Sequence, residues 1–244
     1  MHVSVRHRFW RNSMVKSWVL NLARIFGFAV ILAAWSWLNR NELEPAVTVI
    51  MIIGGVAVMF PITWIGRRLL DAKPTPDRTK AVTTGVHYAI VPSLGTAIIA
   101  AIKVGRAWPG WIIPLPREIG WVLMVVTGAV MTLTVLNLAF GGHGAPFAVA
   151  LSKRLTVSWM YAWTRNPMVL STIAFLISVG LWLQSLLFIL WMIVLVIPAW
   201  LYLLRVFEER ELEIRFGASY LAYKARTPML WPRRPSPPAS TKAE

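Results

Sequence analysis

Residues 165–213 read RNPMVLSTIAFLISVGLWLQSLLFILWMIVLVIPAWLYLLRVFEERELE, and the apolar lengths in this stretch decide the fold. Met168 to Leu183 and Leu186 to Leu204 are each near the minimum for crossing a bilayer, at about 1.5 Å per helical residue. Only Gln184 and Ser185 lie between them. The chain must cross, turn at the far surface and return at once, which predicts that Arg165 and Glu208 stand at the same membrane surface, close in space. The whole chain has ten acidic residues. Four of them, Glu208, Glu209, Glu211 and Glu213, fall at the end of this stretch. A dense charge cluster against a membrane-facing arginine is where chemistry is expected.

Working outward, composition agrees with the hairpin. Hydrophobic residues make up 57% of the chain and charged residues 14%. Several apolar runs reach spanning length, so the fold class is all-α, a polytopic membrane protein. The runs are continuous rather than alternating, which excludes a membrane β-barrel. There is no cysteine, hence no disulfide framework and no thiolate metal site. The net charge of +15 is read as basic flanks of spans facing anionic headgroups, with the lipid bilayer and not nucleic acid as partner.

The order of segments follows. Residues 1–17 form a basic N-terminus with Arg6, Arg8, Arg11 and Lys16. Trp18 to Leu38 is a first span; it is too long for a signal peptide, and Arg24 interrupts it, read as snorkelling or as a buried functional charge. Pro45 to Ile65 is a second span, followed by a loop carrying Arg67, Arg68, Lys73, Arg78 and Lys80. Val82 to Ile102 is a third, with Pro92 and Gly95 pointing to a kink or close crossing. His87 near its start reads as an interfacial histidine, a pocket role being the other reading. Trp108 and Trp111 suit the headgroup level of the next loop. Ile119 to Phe140 is a fourth span, and a glycine-rich break from Gly141 to Pro146 follows it.

About six transmembrane helices therefore place both termini on one side. The positive-inside rule supports this count: the inner side gathers the basic residues of the N-terminus, of the loop after the second span, Lys153, Arg154, Arg165 and all from Arg205 onward. The outer side has Arg40, Lys103, Arg106 and Arg117. The expectation is N-in and C-in, with His143, Arg165 and Glu208 facing the cytoplasm. After the last span Leu212, Phe216, Tyr220 and Tyr223 recur at helical spacing, predicting a C-terminal interfacial amphipathic helix with those residues on its apolar face. Glu211 and Arg215 form an i,i+4 pair on its other side, and Gly217 is a candidate break. Residues 233–244 read as a disordered tail. There is no internal repeat, P-loop, dinucleotide fingerprint or zinc motif.

The segment from Tyr161 through Arg165-Asn166-Pro167-Met168, the hairpin, Glu208-Glu209-Arg210-Glu211-Leu212 and Phe216 to Tyr223 resembles the C-terminal half of the isoprenylcysteine carboxyl methyltransferase and phospholipid methyltransferase superfamily, its bacterial branch above all. The Gly141 to Phe147 turn, Arg154-Leu155, Arg226-Thr227-Pro228 and Trp231-Pro232 add to the likeness, which covers roughly 137–232. The first three spans are matched by hydropathy alone, within N-terminal transmembrane helices read over residues 18–136. The resemblance implies an integral membrane methyltransferase using S-adenosylmethionine, in a bacterial inner membrane, with a lipophilic or small membrane-soluble acceptor methylated at a carboxyl, amine or thiol. It implies His143, Leu155, Tyr161, Arg165, Asn166, Pro167, Glu208 and Glu209 as cofactor-binding residues, Glu208 and Arg226 as catalytic, and no metal. The oligomeric state is left open.

The chemistry of those side chains suits this cofactor. Arginine offers bidentate donors to a carboxylate. Glutamate accepts from an ammonium or a ribose diol, and Asn166 is placed to meet an adenine edge. Methyl transfer is an in-line displacement, where orientation alone supplies about 7–11 kcal/mol. The chain departs from the family pattern at Trp159, where a glycine is usual, and at Val169 and Ser171, where tyrosine and glycine are usual. Three plainer readings stand beside these assignments: Arg165 as a topology determinant, Glu208 to Glu213 as a solvated helix start, and His143 as a loop residue. The tyrosines at 220 and 223 read as interfacial anchors. Two functional alternatives remain: a nicotinamide-dependent membrane reductase of similar helical architecture, and a non-catalytic membrane protein that retains the fold.

Overall fold

The computed structural model describes residues 25–107, 111–142, 152 and 154–235. The basic N-terminus, Arg24, Trp108, His143 with the turn that follows it, Lys153 and the tail from 236 lie outside the described residues. Every regular element among the described residues is helical. The chain divides into two units, Met1–Glu44 and Pro45–Glu244. Among the described residues of the first is the apolar helix α1 (Ile25–Arg40).

Among the described residues of the second unit four helices are long and apolar enough to cross a membrane. They are α2 (Pro45–Ala72), α3 (Pro76–Ala107), α4 (Arg117–Gly142) and α7 (Leu186–Phe216). Between them lie the short α5 (Met160–Trp163) and the apolar α6 (Pro167–Trp182), and α8 (Ala218–Arg226) ends the set. The protein is thus an all-α integral membrane protein. Many large apolar side chains face outward, among them Ile50, Ile53, Trp121, Val122, Val126 and Val194. Such faces are stable against lipid, not water.

Local chemistry sets the breaks. Within α2 the regular pattern lapses at Val58. Pro61 has no N–H for the Ala57 carbonyl, so that rung of the ladder is missing. The hairpin between α6 and α7 turns at Gln184, whose φ is +55°, and Ser185 caps α7 by accepting from the Phe188 N–H. This turn is laced to the 111–117 segment. The Ile113 N–H donates to the Gln184 carbonyl, the Leu186 N–H to Trp111, and the Gln184 side chain both accepts from Arg117 and donates to Leu115. The hairpin closes tightly because a Cβ on Gly180 would stand 2.6 Å from Ile189.

The core is built where α2, α3, α6 and α7 meet, around Met59, Leu70, Ile90, Ala97, Val179, Met192, Val196 and Phe207. Helix α4 lies along α6, with Thr134 against Ser171. Ser171 and Val169, two departures from the family pattern, are both buried. Ser171 therefore serves the α4–α6 contact.

The main difference from the sequence expectation is at the end of the last span. It does not stop near Leu204 and hand over to a separate helix; α7 runs 31 residues to Phe216. At about 1.5 Å per residue that is roughly 46 Å, well beyond the ~30 Å apolar thickness. The glutamates from Glu208 to Glu213 all lie in its last turns. The break falls instead at Gly217, with φ +52°, and only α8 is a separate short helix.

Candidate active site

The site is assembled at the end of the bundle where α7 leaves the apolar layer. Helix α7 contains two wide turns, Met192–Val196 and Leu204–Glu208. The first precedes Pro198, which offers no N–H to the Val194 carbonyl. In the second, the Arg67 guanidinium from α2 donates to the Val206 carbonyl at 3.0 Å. A π turn takes one residue more than an α turn, so each advances the helix register and helps decide which face the next residues occupy.

Glu208 and Glu209 follow at once and point about 100° apart, as successive helical residues do. Glu209 is the partner of Arg165: its Oε1 lies 2.7 Å from Arg165 Nη2, and both side chains are largely buried, 9% and 13% exposed. Lys224 from α8 holds the other oxygen of Glu209 at 2.6 Å and reaches Glu213 at 3.1 Å. Hydrogen bonding to Glu209, then to Glu213, holds the Lys224 ammonium above its ordinary value against the opposing effect of burial. Glu208 faces α3 instead, where His87 Nε2 stands 3.6 Å from its Oε1. Arg165 and the glutamates stand at one end of the bundle, and the direct ion pair is with Glu209.

The Arg165 loop is held by the chain's C-terminal segment. The Arg165 N–H donates to the Pro228 carbonyl at 2.9 Å, and Thr164 Oγ1 and Asn166 Nδ2 both donate to Met229. The Arg233 N–H returns to Trp163. Pro167 opens α6 at its first turn, where a missing N–H costs nothing. Asn166 thus commits one N–H of its side-chain amide to the loop. The Arg226-Thr227-Pro228 and Trp231-Pro232 stretch is the strap that fixes Arg165. The Arg226 side chain itself is exposed at the end of α8, and its carbonyl accepts from Arg233.

Arg165 ends up with more donors than acceptors. Its Nε and Nη1 are buried without a hydrogen-bond partner, as is Glu209 Oε1. The pair is close in distance but off the N–H direction, so the charges attract while the donors stay unspent. A buried donor without a partner costs about 1–3 kcal/mol.

Aromatic hydroxyls ring the cluster. Tyr223 donates to the Tyr161 carbonyl at 2.6 Å. Tyr220 and Tyr223 are 1% and 3% exposed, so they are packed members of the site and not interfacial anchors. Burial, then the Glu208 charge, pushes the Tyr161 phenol up to about 12. Burial also raises Tyr220 and Tyr223. Glu211 and Arg215 do pair, as their spacing predicts, but both are buried rather than on a solvent face. Arg215 also donates to the Ser152 carbonyl, tying down the segment that leads to Leu155, which is half-buried. Trp159, where a glycine is usual, keeps a backbone that suits glycine, φ +57° and ψ −123°. The loop path survives the substitution at the cost of strain.

Residues 116–219 match the family described as phospholipid methyltransferase. The match covers 104 of the 244 residues. The matched residues include Arg165, Glu208 and Glu209. No curated protein and no solved structure matches the chain. Several partners of the site lie outside the matched region: His87, Lys224 and Met229. Hydropathy alone singles out none of them. In the sequence His87 reads first as an interfacial histidine, with a pocket role as the other reading, and Lys224 only as one of the basic residues beyond Arg205.

Proposed function

We propose that the protein is an S-adenosylmethionine-dependent methyltransferase acting on a lipophilic or small membrane-soluble acceptor at a carboxyl, amine or thiol group. The observation that carries this reading is Arg165: nine-tenths buried, fixed by three backbone contacts of its loop, with two donors unspent. A fixed guanidinium with free donors suits a carboxylate, which accepts two parallel bonds. Glu209 already stands between Arg165 and Lys224. Glu208 has His87 as its described ion-pair partner and is the carboxylate suited to an ammonium or a ribose diol. Its negative charge also favours a sulfonium nearby.

The residues thus fit the cofactor, which when bound supplies a methyl group on a positively charged sulfur. The protein's part is binding and orientation, and no strong acid or base is required for the displacement. In this reading the acceptor arrives from the bilayer, because the site sits where α7 emerges from the apolar layer. The asymmetry of basic residues supports a cytoplasmic position for this end and both termini, and the bacterial inner membrane is what the resemblance implies.

The test is calorimetric titration of the detergent-purified protein with S-adenosylmethionine, followed by transfer of labelled methyl into a membrane lipid extract. Saturable binding and a labelled apolar product are expected. A well-folded protein that binds no S-adenosylmethionine would sink the proposal, and NADPH would then be titrated for the reductase alternative.

A further inference from the structure

His87 lies on α3, in the part of the chain that the family match does not reach. Its ring does not sit at a lipid surface. The side chain is 18% exposed and looks into the bundle at Glu208, which is 26% exposed. Ionisable groups within membrane helices commonly face the interior and a partner.

The hydrogen bonds of the ring constrain its protons. Nδ1 lies 2.9 Å from the Thr83 carbonyl. A carbonyl only accepts, so Nδ1 carries a hydrogen. In a neutral ring Nε2 would then present a lone pair to Glu208 Oε1 at 3.6 Å, and two acceptors repel. One proton shared by the pair, on Nε2 or on the carboxyl, turns that contact into an attraction. The Thr83 hook also fixes the ring plane, so the direction from which Glu208 is held is fixed as well. Of the groups around the pair, Thr83 Oγ1 has no partner and the Tyr161 phenol lies within reach of the Glu208 charge, while others are engaged. On α7 Glu211 is bound to Arg215, and on α5 the Tyr161 carbonyl is taken by Tyr223.

We propose that His87 is a positioning residue that holds the Glu208 carboxylate in place for the cofactor, so that the third span, outside the family region, completes the site. This rests on the methyltransferase reading above. It gives α3 a part in binding that hydropathy does not suggest. It also assigns the two glutamates different duties: Glu209 anchors Arg165 and Lys224, while Glu208, steadied by His87, meets the ligand.

The experiment is a double-mutant cycle on S-adenosylmethionine binding, measured by calorimetry on the detergent-purified chain. The variants are His87→Leu, Glu208→Gln and the two combined, with His87→Gln as the conservative replacement that keeps a donor near Nε2. His87→Leu is expected to weaken binding about tenfold, the scale of one hydrogen bond to a charged group. In the Glu208→Gln background the same change should cost nothing further, because its effect passes through Glu208. His87→Gln should recover most of the loss. Wild-type affinity in His87→Leu, or losses that multiply in the double variant, would overturn the proposal. If His87→Leu does not fold, His87→Gln against Glu208→Gln completes the cycle. If the wild type binds no S-adenosylmethionine, the methyltransferase reading fails on its own. The same cycle read by thermal unfolding of the ligand-free protein then decides the pair: additive shifts overturn it, and coupled shifts sustain it.

Discussion

Replacing Arg165 by methionine separates a residue kept for stability from one kept for binding. The change keeps much of the side-chain volume and removes the guanidinium. In the ligand-free protein it deletes the attraction to Glu209, about 4 kcal/mol at a charge separation of ~4 Å and an effective dielectric of ~20. It also deletes two buried unpaired donors, each costing about 1–3 kcal/mol. Glu209 keeps Lys224 at 2.6 Å, so its charge is not stranded. These terms cancel to within about 2 kcal/mol, and the unfolding midpoint should move by no more than about 8 °C. Binding has no such compensation. Two charge-assisted bonds of about 1.5–3 kcal/mol each are lost, which weakens S-adenosylmethionine by roughly 10²–10⁴-fold. Calorimetry and thermal unfolding of the same detergent preparation read both quantities. Unchanged affinity would refute the reasoning, and so would a collapse of the ligand-free fold, since either result makes Arg165 a structural residue.

Three further predictions follow from single contacts. Trp159→Gly should raise the unfolding midpoint by a few degrees, because it releases backbone strain of order 1–3 kcal/mol from a side chain that is 70% exposed; a lower midpoint would contradict the strained path. Gly120→Ala should destabilise by about 1–3 kcal/mol, since the added Cβ runs into the Trp182 backbone where α4 crosses α6; a neutral effect in thermal unfolding would show that this crossing is loose. Tyr161 is held neutral to about 12 in the folded protein against an ordinary value near 10. Its contribution is fully present below pH ~10 and is lost as pH rises through about 12. The unfolding midpoint should therefore fall less steeply above pH ~10 in Tyr161→Phe than in the wild type, and identical slopes would refute the assignment.

The membrane class, the spans and the tight hairpin at Gln184-Ser185 were legible in the chain alone. The reason is that bilayer thickness and helical rise are constants, so apolar run length translates directly into crossings. The same arithmetic brought Arg165 and the glutamates to one end of the bundle. It had no power over which glutamate meets the arginine. One residue is about 100° of helix, and the register at Glu208 is set by the wide turns before it, by Pro198, and by Arg67 reaching across from α2 to the Val206 carbonyl. The same is true of burial around α8. Tyr220 and Tyr223 show the spacing of an amphipathic face whether that face meets headgroups or protein, and only the fold of α8 onto the Arg165 loop buries them. Hydropathy along the chain decided what crosses the membrane. Contacts between residues 60 to 140 positions apart, such as Asn166 with Met229 and His87 with Glu208, decided what the site is made of, because side-chain direction at a helix end depends on packing partners that no local pattern encodes.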